Sequence, residues 1–301
     1  MQRSLFAFTS CALTILFSPP VSAQLTTQPD WSSVTAAMGR AGTLQPDGVM
    51  KFSFPRSDLN VTLDAVRLKP SFALGTWVAF KRLNERDAMV MGDLVLTEKE
   101  VPPVMSRLLE SGWVMETALH NHLIGESPRV MYMHIHADGD ARLIAMGLRA
   151  ALAESGTPVT AASSPAAPVS VDLDTARIAR ILGSAGKAND GVYQVSVPRP
   201  ERIQMGPAEI PRSMGVSTAI NFQPTGNGTA AITGDFVLTA GEVPKVIAAL
   251  RRNAITVTAL HNHMLVETPR LFFMHFWAKD DAVKLATGLR AALDAMDRER
   301  R

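Results

Sequence analysis

Short apolar runs rich in β-branched and aromatic residues recur along the chain, each bounded by turn-forming residues. Thr76–Phe80 and Ala88–Leu96 read as two strands joined by a polar turn at Asn84. Thr97 and Glu100 have capping-box spacing, which predicts a helix running to about Glu110, its start delayed or bent by Pro102. Val114–Leu123 and Val130–Ala137 read as two further strands across a short loop, and a helix is predicted from about Asp140 to Leu152. Strand, strand, helix, strand, strand, helix implies an α+β fold, an antiparallel sheet with helices on one face.

The whole pattern is then written again. Ala118-Leu119-His120-Asn121-His122 returns as Ala259-Leu260-His261-Asn262-His263, and ten of the nineteen positions from 118 to 136 are identical to their counterparts. The same register carries Gly147–Leu152 onto Gly288–Leu293. After a shift of one residue, Gly92-Asp93 and Glu100-Val101-Pro102 match Gly234-Asp235 and Glu242-Val243-Pro244, and further upstream Asp47-Gly48-Val49 and Pro55-Arg56 match Asp190-Gly191-Val192 and Pro198-Arg199. The second copy therefore repeats the elements as strands at Thr218–Phe222, Ala230–Leu238, Ile255–Met264 and Leu271–Ala278, with helices to about Arg252 and over Asp280–Ala295. Repeats of this length decide the architecture, here two tandem α+β units.

Four segments follow: 1–23, 31–152 as the first repeat, 153–171 as a linker and 172–297 as the second repeat. The linker is rich in Ala, Ser, Pro and Thr with almost no charge, the composition of an extended flexible connection. The first segment has the order of a secretory signal, with Arg3, the apolar run Leu5–Phe17 and the small residues Val21-Ser22-Ala23 before Gln24. A run this short falls below the roughly 20 residues needed to span a bilayer, so the mature chain is expected in the periplasm or secreted, without a stable membrane span. The single cysteine, Cys11, lies within that signal, which excludes disulfides and thiolate ligands from the mature chain. Thirty basic against 28 acidic residues, with no basic run, argue against a nucleic-acid partner and leave a small molecule or an envelope component.

All seven histidines fall in the repeated strand pair: His120, His122, His134 and His136, then His261, His263 and His275. Side chains alternate across a strand, so His120 shares a face with His122 and His134 with His136, while Leu119, Met133 and Ile135 point toward the helices. Pairing of the two strands as a hairpin gathers the imidazoles, the usual ligands of zinc, copper or iron. Glu126 and Glu267 in the hairpin loops are candidates for a further ligand or a general base on metal-bound water, with Glu126 the candidate catalytic residue. The competing reading makes them loop carboxylates that cap amides or pair with Arg129 and Arg270. Asp93 and Asp235 are candidate partners behind the ligands. Met89, Met91, Met131 and Met133 read as core fillers. His136 is answered by Trp277, so either the second site is degenerate or the two histidine faces meet across a pseudo-twofold axis and share one metal.

His-Asn-His followed by Glu-Ser-Pro-Arg-Val-Met-Tyr-Met-His-Ile-His, together with Met91-Gly92-Asp93-Leu94-Val95-Leu96-Thr97, resembles the LppY/LpqO family of exported bacterial proteins. The resemblance covers both copies and implies export but no reaction, since that family's domain is one of unknown function. Its members are described as lipoproteins, whereas this chain lacks a usable lipid-attachment cysteine. His120-x-His122-x-x-x-Glu126 is also similar to the first half of the cupin metal signature, without its upstream glycine and with too many helices for an all-β barrel. The sequence thus supports a metal-dependent hydrolase or oxidase, with a non-enzymatic cell-envelope binding module as the alternative.

Overall fold

The computed structural model describes residues 30–160 and 169–296; the segment 1–23 expected to be a signal and the middle of the expected linker lie outside them. Each repeat is an antiparallel six-stranded sheet with three helices packed on one face. In the first, the strand order is Thr43–Leu44, Met50–Pro55, Gly75–Arg82, Asp87–Thr97, Val130–Asp140 and Met115–His120 at the edge. The second repeats it as Gly186–Asn189, Val192–Pro198, Ser217–Gly226, Thr229–Leu238, Phe272–Asp281 and Thr256–His261. Alternation places Phe52, Phe54, Val78, Leu94, Met133 and Ile135 under the helices Ser32–Met38, Val101–Ser111 and Ala141–Leu152. The expected α+β architecture with helices on one face is what forms, in both copies.

Several local expectations change. The Thr97/Glu100 spacing forms a turn that precedes the helix: Glu100 accepts from the Thr97 amide at 2.7 Å, and the helix begins at Val101 with Pro102 in its first turn. Leu119, expected under the helices, is 40% exposed, as is its counterpart Leu260 at 44%. Both lie on edge strands whose register slips, between Glu116 and Ala118 and between Val257 and Ala259. Residues 153–160, read as the start of an extended flexible connection, are in part held in place: the Gly156 amide donates to Glu100 at 2.6 Å and Thr157 is buried.

What joins the two sheets is a pair of exchanged arms, residues 56–74 and 199–216. The first arm packs Val61, Leu63, Leu68 and Phe72 against Val192, Ala231 and Trp277 of the second repeat. The second arm packs Ile203, Ile210 and Met214 against Val49, Ala79, Met89 and Met91 of the first, so these two methionines fill a core. Polar contacts follow the same exchange. Lys69 Nζ donates to the Asp190 carbonyl at 2.7 Å, Gln194 Nε2 to the Ser71 carbonyl at 2.7 Å, and Ser213 Oγ to Asp47 at 2.8 Å. Trp277 stacks edge-on against Phe72 at 6.1 Å and donates its indole N–H to Asp64 at 2.6 Å.

Tyr132 tests the anchoring of the first arm. Its hydroxyl donates to the Ala73 carbonyl at 2.8 Å, whereas the equivalent residue of the second repeat is Phe273. Tyr132→Phe is expected to cost about 1 kcal/mol in urea unfolding, the net worth of one buried hydrogen bond. No measurable change would mean that the arm is held by its apolar packing alone.

Candidate metal centre and adjoining cleft

The edge strands bring their histidines to the seam between the repeats, where Thr258 Oγ1 donates to the His122 carbonyl at 2.6 Å. Three ring pairs form there, each joining one repeat to the other. His120 stacks on His261 at a centroid distance of 3.4 Å, His122 on His275 at 3.5 Å, and His134 on His263 at 3.7 Å. The second and third pairs are exchanged by the pseudo-twofold relation, and the first is mapped onto itself. Each outer stack is extended by an aromatic ring: Tyr132 lies on His122 at 3.5 Å and Phe273 on His263 at 3.4 Å.

The ring nitrogens converge. Those of His120, His122, His134 and His261 lie within 4.8 Å of one another, and so do those of His261, His263 and His275. In all six residues Nε2 is buried with no hydrogen-bond partner among the described residues. A native fold rarely leaves one such atom, because each costs about 1–3 kcal/mol in lost hydration. Burial drives the imidazoles toward the neutral form. It pushes His120 down to about 3, with His261 adding to the effect, and His261 down to about 4. Burial, reinforced by neighbouring histidines, holds His122, His134, His263 and His275 well below the ordinary value. A neutral imidazole with a free Nε2 is the form that ligates a metal ion, and either group can hold one.

Six of the seven candidate histidines thus gather, and the two histidine faces do meet across a pseudo-twofold axis. His136 is not brought to either group. Two residues beyond His134, and so roughly 6.6 Å along the strand, its Nε2 lies 2.8 Å from Asp138 Oδ2. Its counterpart Trp277 packs against the first arm, so this position lies away from the seam in the second repeat as well. The loop carboxylates are taken up locally. Glu126 Oε1 accepts from Asn121 Nδ2 at 2.5 Å and from the Val130 amide at 3.3 Å; Glu267 accepts from the Leu271 amide at 2.9 Å and from Arg270 at 3.3 Å. That is the capping role set against catalysis for both residues.

Asp93 and Asp235 are cross-strand neighbours of His134 and His275, on the histidine face of each sheet. Asp93 Oδ1 lies 3.9 Å from His134 Nδ1. Burial raises the Asp93 carboxyl well above its usual range, helped by Asp235, and raises Asp235 to about 7. Both open onto a cleft of about 950 Å³ between the helix-free faces of the sheets, which His122, His263 and His275 also line. Lys51 reaches the same cleft and was not singled out by its residue type. The signal available in the sequence was its mismatch with Gln194 at the equivalent place in the second copy.

Among the described residues, no helix is long and apolar enough to cross a membrane. No curated protein matches the chain. Residues 32–154 and 176–295 each match the family described as Domain of Unknown Function (DUF1259), and the two matches fall on the two sheet-and-helix units. The chain belongs to that family and carries its domain twice.

Proposed function

We propose that this is an exported protein, periplasmic or secreted, that binds a transition metal ion at the seam between its repeats and uses it in a hydrolytic or oxidative reaction. The observation that carries the metal reading is the convergence of six buried imidazoles whose Nε2 atoms have no other partner. His120, His122, His134, His261, His263 and His275 are the ligand candidates. Three of them also line the cleft, so an ion held there would face a space large enough for a substrate, the arrangement that separates a reactive site from a closed structural one. Export rests on the signal-like first 23 residues and on the resemblance to the exported LppY/LpqO family. Zinc would support hydrolysis by activating bound water, and copper or iron would support oxidation.

Protein purified from the periplasm without a histidine tag is expected to contain zinc, copper or iron near stoichiometry by elemental analysis. His120→Ala combined with His261→Ala, which removes the central ring pair, should lose it. Protein that arrives metal-free and takes up none of the three on reconstitution would overturn the metal reading and leave a cell-envelope binding module.

A further inference from the structure

The inter-repeat cleft carries features that metal binding does not require. Its volume of about 950 Å³ is at the upper end of small-molecule sites. As in most such sites apolar side chains line much of it, here Phe72, Trp77, Leu123 and Val195, but short hydroxyl and amide groups are set among them, including Ser53, Ser196, Asn221 and Thr233. Two wall residues hold a buried oxygen without a hydrogen-bond partner, Asp93 Oδ1 and Ser71 Oγ. Asp93 is only 9% exposed, so the cost of that orphaned oxygen falls on the fold unless a ligand supplies a donor.

The cleft is also polarised where the duplication would make it symmetric. Asp93 has Asp235 as its mate, but Lys51 is answered by Gln194 and Trp77 by Ala219. The Lys51 ammonium lies 4.2 Å from the centroid of the Trp77 ring and donates to the Ser213 carbonyl at 3.4 Å. Those contacts hold it in position while using only one of its three N–H donors. One end of the cleft therefore presents a fixed cation held on an indole, and the other the amide of Gln194 with the exposed Lys187 across the strand pair. A ligand suited to it has an anionic end and a hydroxyl-rich body. Because the Asp47 carboxylate acts on Lys51, a doubly charged phosphate would be repelled more strongly than a singly charged carboxylate.

We infer that the cleft binds a polyhydroxylated carboxylate, a sugar acid, with its carboxylate on Lys51 and its hydroxyl groups on Asp93 and the serine, threonine and asparagine wall. Recognition by Lys51 needs no metal, so this inference stands apart from the metal reading. The test is calorimetric titration of the full chain, as purified and after chelation, with glucuronate, galacturonate and gluconate, beside glucose and glucose 6-phosphate. At least one of the three acids should bind saturably in both preparations, roughly tenfold or more tighter than glucose, as expected for a charge-assisted contact. Lys51→Gln, which installs the side chain the second repeat already holds, should erase that preference and leave metal content unchanged. Absence of saturable binding by all three acids, tighter binding of glucose 6-phosphate, or an undiminished preference in Lys51→Gln would each overturn it. Binding that vanishes on chelation would do the same, by moving the anchor from Lys51 to the metal.

Discussion

Arg199→Ala is expected to lower the stability of the protein by roughly 3–5 kcal/mol, the cost of leaving a buried charge without its partner. Arg199 stands at the base of the second arm, with its side chain 2% exposed and that of Glu242 1% exposed. Nη1 donates to Glu242 Oε2 at 2.8 Å and to the Val237 carbonyl at 2.7 Å, while Nη2 and Nε reach Glu201 at 2.6 and 3.1 Å. Burial works to raise the Glu242 carboxyl, but hydrogen bonds from Arg199 and the Thr239 amide outweigh it and bring the group below its ordinary value. Arg199→Lys should recover only part of the loss, because one ammonium cannot reproduce the guanidinium's forked contacts. The damage extends to the site: Met214 and Ile210 of the arm share a core with Phe273, which stacks on His263. Urea unfolding reads the stability, and a double variant, Arg199→Met with Glu242→Gln, should cost less than Arg199→Ala because no charge is stranded. A cost below about 1 kcal/mol for Arg199→Ala would show that the arm is held by its apolar contacts instead.

The same residues show how far the sequence could be read. Pro55-Arg56 and Pro198-Arg199 were visible as repeated dipeptides, and Thr97 with Glu100 as a repeated capping signal, but nothing local connects them. In the fold they meet: Arg56 Nη1 lies 3.0 Å from Glu100 Oε2, and Glu100 in turn braces the turn before the helix. The two strand pairs and the helices were legible because alternation and helical spacing are local, and the duplication supplied each twice. The arms were not, since residues 56–74 and 199–216 contain only two-residue strands and short helical turns and are buried between their own repeat and the opposite one. Histidine clustering was legible from spacing within one hairpin, whereas a meeting of the two histidine faces across the seam was one of two alternatives that the sequence left open. His136 shows why: in sequence it is equivalent to His120, His122 and His134, and only the path of the strand carries it past the seam to Asp138. Lys51 escaped for the complementary reason: its mismatch with Gln194 was visible between the copies, but a single lysine on a strand points to no chemistry until its neighbours across the cleft are known.

Acid should unfold the metal-free protein well before carboxylate titration alone would. The six clustered histidines have folded-state values below the ordinary 6.5, about 3 for His120 and about 4 for His261, with the other four well below. Above pH 6.5 they are neutral whether folded or not and exert no pH-dependent effect. As pH falls from 6.5 toward those values the unfolded chain takes up protons that the fold refuses. Each histidine then removes up to about 1.4 kcal/mol of stability per pH unit. Asp93 and Asp235 act in the opposite sense, Asp235 between about 7 and 3.8, because their raised values let the fold hold protons the unfolded chain has released. They offset only part of the effect of the six histidines, so the net result is a loss of stability as pH falls below 6.5. The expected result is a urea midpoint that is level from pH 8 to about 7 and then falls steeply toward pH 5. His120→Phe with His261→Phe should flatten the fall by removing two of the six proton acceptors while keeping stacked rings at the centre. Adding the native metal should move the fall to lower pH, since an ion on the nitrogens stabilises only the folded state. A midpoint that stays level from pH 6.5 to 4.5 in the chelated protein would mean that the imidazoles are hydrated and charged in the native state. The dry convergence of their Nε2 atoms, on which the metal centre rests, would then be lost.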